Sequence, residues 1–138
     1  MITGFEHLHS TLRWVLLAVL LWTVLTALAG RFKGGAFGKG QGKLGLITMI
    51  LMHSQLVLGL ALYLFKMGSL DRFFSMEHPM IMVLAIVAGT LGHSLTKRAT
   101  DDASKWRKQS TWMSIALLLV LTGIPWPFIA GFEAYGWI

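Results

Sequence analysis

The amino-acid sequence predicts an all-α membrane protein: a four-helix transmembrane bundle whose N and C termini lie on the same, outer (periplasmic) side. Of its 138 residues, 55% are hydrophobic and only 13% are charged, a balance typical of membrane proteins. Four apolar segments have the length of about 20 residues that crosses a hydrocarbon core of about 30 Å. They are approximately residues 10–30, 44–65, 75–95 and 110–129. We treat residues 1–138 as one domain.

Local sequence signals support these boundaries. The glycine-rich stretch 31–43 separates the first two segments, and we interpret it as a flexible connector because no Gly-Lys-Ser/Thr motif follows it. Ser75 is predicted to cap the third helix, with Glu77 in its first turn and Pro79 early enough to be tolerated. The sequence GIPWPF (Gly123–Phe128) is expected to bend or end the fourth helix at the outer interface.

The basic residues predict the orientation of the bundle. Four of the twelve Lys and Arg residues lie in the loop Arg31–Lys43 and five in the loop Lys97–Gln109. By the positive-inside rule, this face is cytoplasmic. The outer face then holds Met1–Ser10, which lacks a cleavable-signal pattern, the loop Lys66–Phe74 and the tail from Gly131. We therefore expect a multi-pass protein of the bacterial inner membrane.

Composition also excludes several classes of protein. The chain has no cysteine, so disulfides, thioether-linked haem, iron–sulfur clusters and thiolate zinc sites are excluded. The net charge of +6 lies in the short loops where topology signals belong, so we expect contact with membrane lipid and none with nucleic acid.

Four of the five histidines lie at or within the predicted spans, where an ionisable side chain is costly and usually functional. His9 and His78 begin the first and third segments at the outer side. His53 and His93 lie in the inner half, ten residues after Lys43 and four residues before Lys97. The histidines therefore form two pairs at two depths. The fifth histidine, His7, would point away from the side chain of His9. Because His9 lies deeper in the membrane than His7, we predict that His9 is the functional one of these two.

The spacing of His78 and His93 suggests what the two pairs bind. Fifteen residues correspond to four helical turns plus about 60°, so both side chains project to nearly the same face, about 22 Å apart. Two haem b groups fit this arrangement, one between His9 and His78 and one between His53 and His93, because bis-histidine iron needs two protein ligands. A structural zinc ion would need about four. The alternative for each histidine is an interhelical hydrogen bond.

Other residues would complete these cofactor sites. Haem propionates need cations, and Arg13 and Arg72 are the outer candidates; Lys97 and Arg98 are weaker inner candidates because topology alone explains them. Three glycines would let a macrocycle approach the backbone, with helix packing as an equally good explanation for each. They are Gly59, Gly89 and Gly92. No catalytic residue is predicted.

Four segments resemble a known family. They are LHSTLRW (Leu8–Trp14), MHSQLVLGLALYLF (Met52–Phe65), the stretch from Arg72 to Asp102, and GIPWPF (Gly123–Phe128). Nearly the whole chain is similar to small bacterial four-helix membrane proteins known as cytochrome b, which are di-haem b-type proteins with a b561-like architecture. The resemblance implies that the four paired histidines and Arg13 fall in matching motifs, and that His7 has no counterpart. The loop Lys66–Phe74 is shorter than in some members.

Three functions follow from these observations as expectations. The first is an electron-transport cytochrome that carries electrons across the membrane between a quinol pool or periplasmic redox protein and an acceptor, either alone or as a small subunit of a respiratory-chain complex. The second is a quinone-linked oxidoreductase acting alone, so whether the chain is an enzyme stays open. The third is a haem-free scaffold or assembly subunit in which the histidines only bond between helices.

Overall fold

Four α-helices make up most of the computed structural model, which describes residues 1–133. They are α1 (Ile2–Lys33), α2 (Lys39–Lys66), α3 (His78–Arg98) and α4 (Asp102–Gly123), and a one-turn π-helix (Phe73–Glu77) leads into α3. The predicted all-α class with four helices is confirmed. Residues 134–138, which belong to the predicted outer tail and to the end of the single domain, lie outside the described residues.

Three of the helical segments within residues 1–133 are long and apolar enough to cross a membrane. They are Ile2–Lys33, Lys39–Lys66 and Phe73–Arg98. The chain is therefore a membrane protein. The first turns of α4 carry Lys105, Arg107 and Lys108, which lower its hydropathy below that of the other three.

The start of α3 differs from the sequence prediction. Ser75 is not its cap; the hydroxyl of Ser75 donates to the carbonyl of Arg72 at 3.2 Å. The carboxylate of Asp71 instead accepts the backbone N–H of Phe74 at 3.0 Å. The wide π-turn then closes with the N–H of His78 donating to the carbonyl of Phe73. Ser75 fails as a cap because helical backbone already begins before it.

The end of α4 is set by two prolines. The predicted segment reaches residue 129, but the helix ends at Gly123, and Ile124 is extended with φ −85° and ψ 129°. Pro125 has no N–H to offer the carbonyl of Leu121, four residues earlier. The indole N–H of Trp126 donates to that carbonyl instead, at 2.8 Å. GIPWPF thus ends the helix and does not merely bend it.

The start of α4 carries an exposed cap. The carboxylate of Asp101 accepts the backbone N–H of Ser104 at 2.8 Å. This hydrogen bonding holds the pKa of Asp101 below its ordinary value. The cap is therefore present at neutral pH and is lost only as the pH falls through this lowered pKa.

Small and medium apolar residues fill the space between the helices. The fully or nearly buried set is Leu16, Leu20, Val24, Ala27, Met52, Ala85, Ala88, Met113, Ala116, Val120 and Ile124. Large apolar side chains on the outside, such as Trp22, Val57 and Leu64, are more than half exposed. Lipid tails can cover such a surface, so the bundle needs no second apolar layer.

Polar pairs join the helices at the end of the bundle that holds the loop between α1 and α2. The hydroxyls of Thr23 on α1 and Thr48 on α2 lie 2.8 Å apart, and both residues are fully buried. The amide of Gln41 on α2 donates to the side-chain carbonyl of Gln109 on α4 at 2.7 Å and to the hydroxyl of Thr26 at 3.0 Å. These bonds fix the axial position of α1, α2 and α4 relative to one another.

An aromatic contact holds the first inner loop against α4. The indole of Trp106 packs directly on Gly30, donates to the carbonyl of Gly35 at 3.1 Å and contacts the ring of Phe37, with centroids 4.7 Å apart. Positive φ angles at Gly34 (74°) and Gly35 (97°) make the turn, and they favour glycine there.

The Trp106 contact predicts unequal effects of two glycine substitutions. A Cβ on Gly30 would overlap the indole, whereas nothing lies within 4 Å of a Cβ on Gly40. Gly30→Ala should therefore lower the free energy of unfolding by about 1–3 kcal/mol. Gly40→Ala should leave it unchanged or raise it slightly, since alanine favours helix. Denaturant unfolding in detergent, followed by circular dichroism, measures both, and equal stabilities would contradict the contact.

Candidate metal centre

The two outer histidines lie side by side. The ring centroids of His9 on α1 and His78 at the start of α3 are 6.5 Å apart, with the ring planes inclined by 74°. A metal ion bonded to one nitrogen of each ring, at about 2 Å per bond, would place the ring centres roughly 6 Å apart. The spacing of the two rings thus suits a pair of imidazole ligands of one metal ion.

The orientation of His78 is fixed by the end of α4. Its Nδ1 lies 2.7 Å from the carbonyl oxygen of Gly123, which can only accept, so Nδ1 carries the proton. The Nε2 lone pair of His78 is then left for a ligand, the usual arrangement for a metal-binding histidine. The carbonyl of Gly123 is available because residue 127, four positions later, is proline. Sequence reasoning treated GIPWPF as an interface anchor and missed this role.

The ring of His9 rests on α2. A Cβ on Gly59 would lie 3.1 Å from Cε1 of His9, so only glycine leaves the ring at its present depth without displacement. One turn earlier, the side-chain amide of Gln55 donates to the backbone carbonyl of His9 at 2.8 Å. The Nδ1 atom of His9 is itself buried with no hydrogen-bond partner. Gly59 was predicted near a ligand, and the structure places it beside His9.

Of the two predicted outer cations, the structure brings one to the histidines. Arg13 follows His9 by one helical turn, and its guanidinium carbon is 5.0 Å from the ring centre of Trp14. The Nε of Arg72 is 3.4 Å from a carboxylate oxygen of Glu77, and the Arg72 side chain is 86% exposed. Of the two cations, Arg13 is the one held next to a histidine of the pair along the same helix.

Two aromatic rings from the π-helix enclose His78. The ring centroids of Phe73 and Phe74 lie 5.9 and 5.6 Å from that of His78. The extra residue in the π-turn puts both phenylalanines on the histidine side, as π-turns often do near functional sites. Sequence reasoning missed these residues because a π-turn has no simple pattern.

The inner histidines line two neighbouring grooves between α2 and α3. One groove, of about 490 Å³, is lined by Met49, His93, Ser94, Lys97 and Arg98. The other, of about 460 Å³, is lined by Met49, Ile50, His53, Ser54, Val57 and Thr90. Met49 is common to both. The imidazole of His53 is exposed, with Nδ1 2.8 Å from the carbonyl of Met49; this fixes its ring and leaves Nε2 for a ligand.

A second glycine of α2 lies under an inner histidine. A Cβ on Gly45 would lie 3.7 Å from Nδ1 of His93 and 2.7 Å from Nε2 of Gln109. Gly45 and Gly59 are 14 residues apart and therefore share one helix face. Sequence reasoning missed Gly45 because nothing near it in the sequence marks it. The other two predicted glycines lie against side chains of neighbouring helices: Gly89 packs on Met52 and Gly92 on Trp112. These contacts are those expected of glycines that serve helix packing.

Within residues 1–133, no three His, Asp or Glu side chains converge as a metal-binding group. His9 and His78 lie side by side, whereas His53 and His93 line separate, adjacent grooves. No protein-family model, curated protein or solved structure matches this chain.

The geometry of the outer pair can be checked with cysteines, because the chain has none of its own. In a His9→Cys/His78→Cys variant, a short bifunctional thiol reagent should link α1 to α3, because the two positions face each other. A His7→Cys/His78→Cys variant is the matched control and should not be linked, since His7 is exposed. Mass spectrometry of protease digests detects the product. Equal linking of both variants would contradict the placement of His9.

Proposed function

We propose that this chain is a di-haem b-type membrane cytochrome that carries electrons across the membrane between a quinol pool or redox partner and an acceptor. The observation that carries the proposal is the outer pair, His9 and His78, whose ring centroids lie 6.5 Å apart. Facing imidazoles on two helices are the usual protein ligands of low-spin b-type haem.

The residues of the outer site fit a haem group in three ways. His78 donates its Nδ1 proton to the carbonyl of Gly123, so its Nε2 is available as a ligand. Gly59 leaves the space that the His9 ring occupies. Arg13 supplies a cation for a propionate carboxylate. The haem iron would contribute one-electron oxidation and reduction; the chain's residues bind it, orient it and keep water away.

The inner site supports the proposal through its shape and charge. The groove that contains His93 has Lys97 and Arg98 at its cytoplasmic end, and the groove that contains His53 is lined mostly by apolar residues. A haem group has a matching division, because its macrocycle is apolar and its two propionates are negatively charged. Its propionates would pair with the two cations while His53 and His93 serve as axial ligands.

α3 would hold one ligand of each haem at a fixed separation. His78 and His93 are about 22 Å apart along its axis. Between them, α3 contributes Ala85, Ala88 and Gly89, all buried. This packing would exclude water from the region that electrons cross between groups bound at the two positions.

The proposal includes the full topology. The outward positions Ile115 and Leu118 of α4 are apolar and exposed, as on a lipid-facing helix, so we propose α4 as the fourth span. The basic loops 31–43 and 97–109 would then be cytoplasmic and both termini periplasmic, in the inner membrane of a bacterium. The chain would act alone or as a small subunit of a respiratory complex.

Haem content tests the proposal directly. We expect purified wild-type protein to contain two haems per chain and to give a low-spin b-type spectrum when reduced. His78→Ala should remove the outer haem and His93→Ala the inner one, each leaving one haem per chain. A pyridine haemochrome assay with quantified protein measures these ratios.

His7→Ala is the matched control and should retain two haems. If folded wild-type protein made with ample haem contains none, the proposed function is wrong. The histidines would then act only as interhelical hydrogen-bonding groups, as in a scaffold. In that case His78→Ala would cost only the bond to Gly123, about 0.5–1.5 kcal/mol.

The topology has its own test in the cysteine-free chain. Thr3 and Thr100 are both exposed and lie on opposite proposed faces. A membrane-impermeant thiol reagent applied to spheroplasts should label Thr3→Cys and should label Thr100→Cys only after lysis. The reverse pattern would invert the proposed orientation, and labelling of both before lysis would contradict the three spans proposed between Thr3 and Thr100.

A further inference from the structure

We propose that Gln55 fixes the protonation state of His9: its side-chain oxygen accepts the Nδ1 proton of His9 and leaves Nε2 as the metal-binding lone pair. The inference rests on the proposed function only in taking Nε2 as a haem ligand. It makes Gln55 a positioning residue on α2 for a ligand carried by α1.

Two unpartnered atoms, on residues already joined by another hydrogen bond, suggest this contact. His9 Nδ1 and Gln55 Oε1 are both buried without a hydrogen-bond partner. A buried polar atom without a partner costs about 1–3 kcal/mol, and such atoms usually have a bonding partner or an ordered water. Here one unpartnered atom can donate and the other can accept.

The position of the Gln55 amide is set by a second bond. Its Nε2 donates to the backbone carbonyl of His9 at 2.8 Å. Since a carbonyl can only accept, the nitrogen must face it, and the atom left over is the acceptor Oε1. Gln55 is thus held at His9 itself, one turn from Gly59, on which the His9 ring rests. A small rotation of one side chain, or one bridging water, joins Oε1 to Nδ1.

The chemistry parallels that of the other outer ligand. His78 donates its Nδ1 proton to a backbone carbonyl, which cannot be changed by mutation of a side chain. The partner of His9 would be a side-chain carbonyl and can therefore be tuned. An acceptor at Nδ1–H raises the basicity of the opposite nitrogen, which stabilises oxidised iron and lowers the reduction potential of the outer haem.

The tautomer of His9 provides a test that does not require haem. Protein with ¹⁵N-labelled histidine is studied by nuclear magnetic resonance as purified, in the reduced diamagnetic state if haem is bound, and His9→Asn assigns the His9 signal. We expect wild-type His9 to carry its proton on Nδ1. This proton should show the downfield shift and slow solvent exchange of a hydrogen-bonded N–H, and Gln55→Leu should lose both and bind the outer haem about tenfold more weakly. Gln55→Glu should keep the proton on Nδ1 and lower the outer reduction potential, whereas Gln55→Leu should raise it.

Gln41→Leu is the matched control, because Gln41 is also an α2 glutamine that bonds between helices but lies at the inner end. It should leave the His9 signal and the outer potential unchanged. The proposal is overturned if wild-type His9 carries its proton on Nε2, or if Gln55→Leu leaves the chemical shift and solvent exchange of the Nδ1 proton unchanged. If Gln55→Leu does not fold, the wild-type protein still decides the question, because rapid exchange of its Nδ1 proton with solvent would mean that the proton has no acceptor. Haem-free protein with His9 protonated on Nδ1 would refute the proposed function and support the role of Gln55.

Discussion

The structure depends on the requirement that every polar group in the hydrocarbon region find a partner within the protein. The two prolines after α4 show how this requirement creates a site. Pro125 and Pro127 remove the N–H groups that Leu121 and Gly123 would otherwise meet in a continued helix. The indole of Trp126 takes one of the freed carbonyls and the imidazole of His78 takes the other. A helix end thereby fixes the tautomer of a histidine on a different helix.

The second feature that shapes the bundle is close approach at glycine. α2 presents two glycines on one face, Gly59 under His9 and Gly45 beside His93. Each accommodates a histidine from a neighbouring helix at one of the two depths. α3 carries His78 and His93. Together, α2 and α3 therefore set the separation of the two proposed haem sites. Glycine here sets where a functional side chain can lie, in addition to how closely helices pack.

The two candidate centres differ in how far the protein alone has assembled them. At the outer centre, His9 and His78 lie side by side, with Arg13 and two phenylalanines around them. At the inner centre, His53 and His93 line adjacent grooves that open between α2 and α3. A cofactor would complete the inner centre by bridging these grooves. The outer centre is the more fully preorganised because three helices and the end of the fourth already contact its two rings.

The sequence by itself determined the class of the protein and the number of helices, and it predicted a depth for each histidine. These follow from local quantities: the length of an apolar run, the rise per residue and the position of charges. It also indicated two residues near His9. Arg13 lies one turn along the same helix, and Gly59 lies on the facing helix α2. Its prediction of a Ser75 cap was wrong, because a one-turn π-helix is decided by the packing of Phe73 and Phe74 around His78.

Only the tertiary structure decided which atoms meet. Three contacts depend on how the helices are rotated about their axes. They are the exposed pair Arg72–Glu77, the contact of Gly45 with His93 and the bond from His78 to Gly123. Mean hydropathy and spacing along a chain fix depth but not rotation. Rotation is set by the polar groups that must pair across helices and by the glycines that permit contact, and both act between residues far apart in sequence.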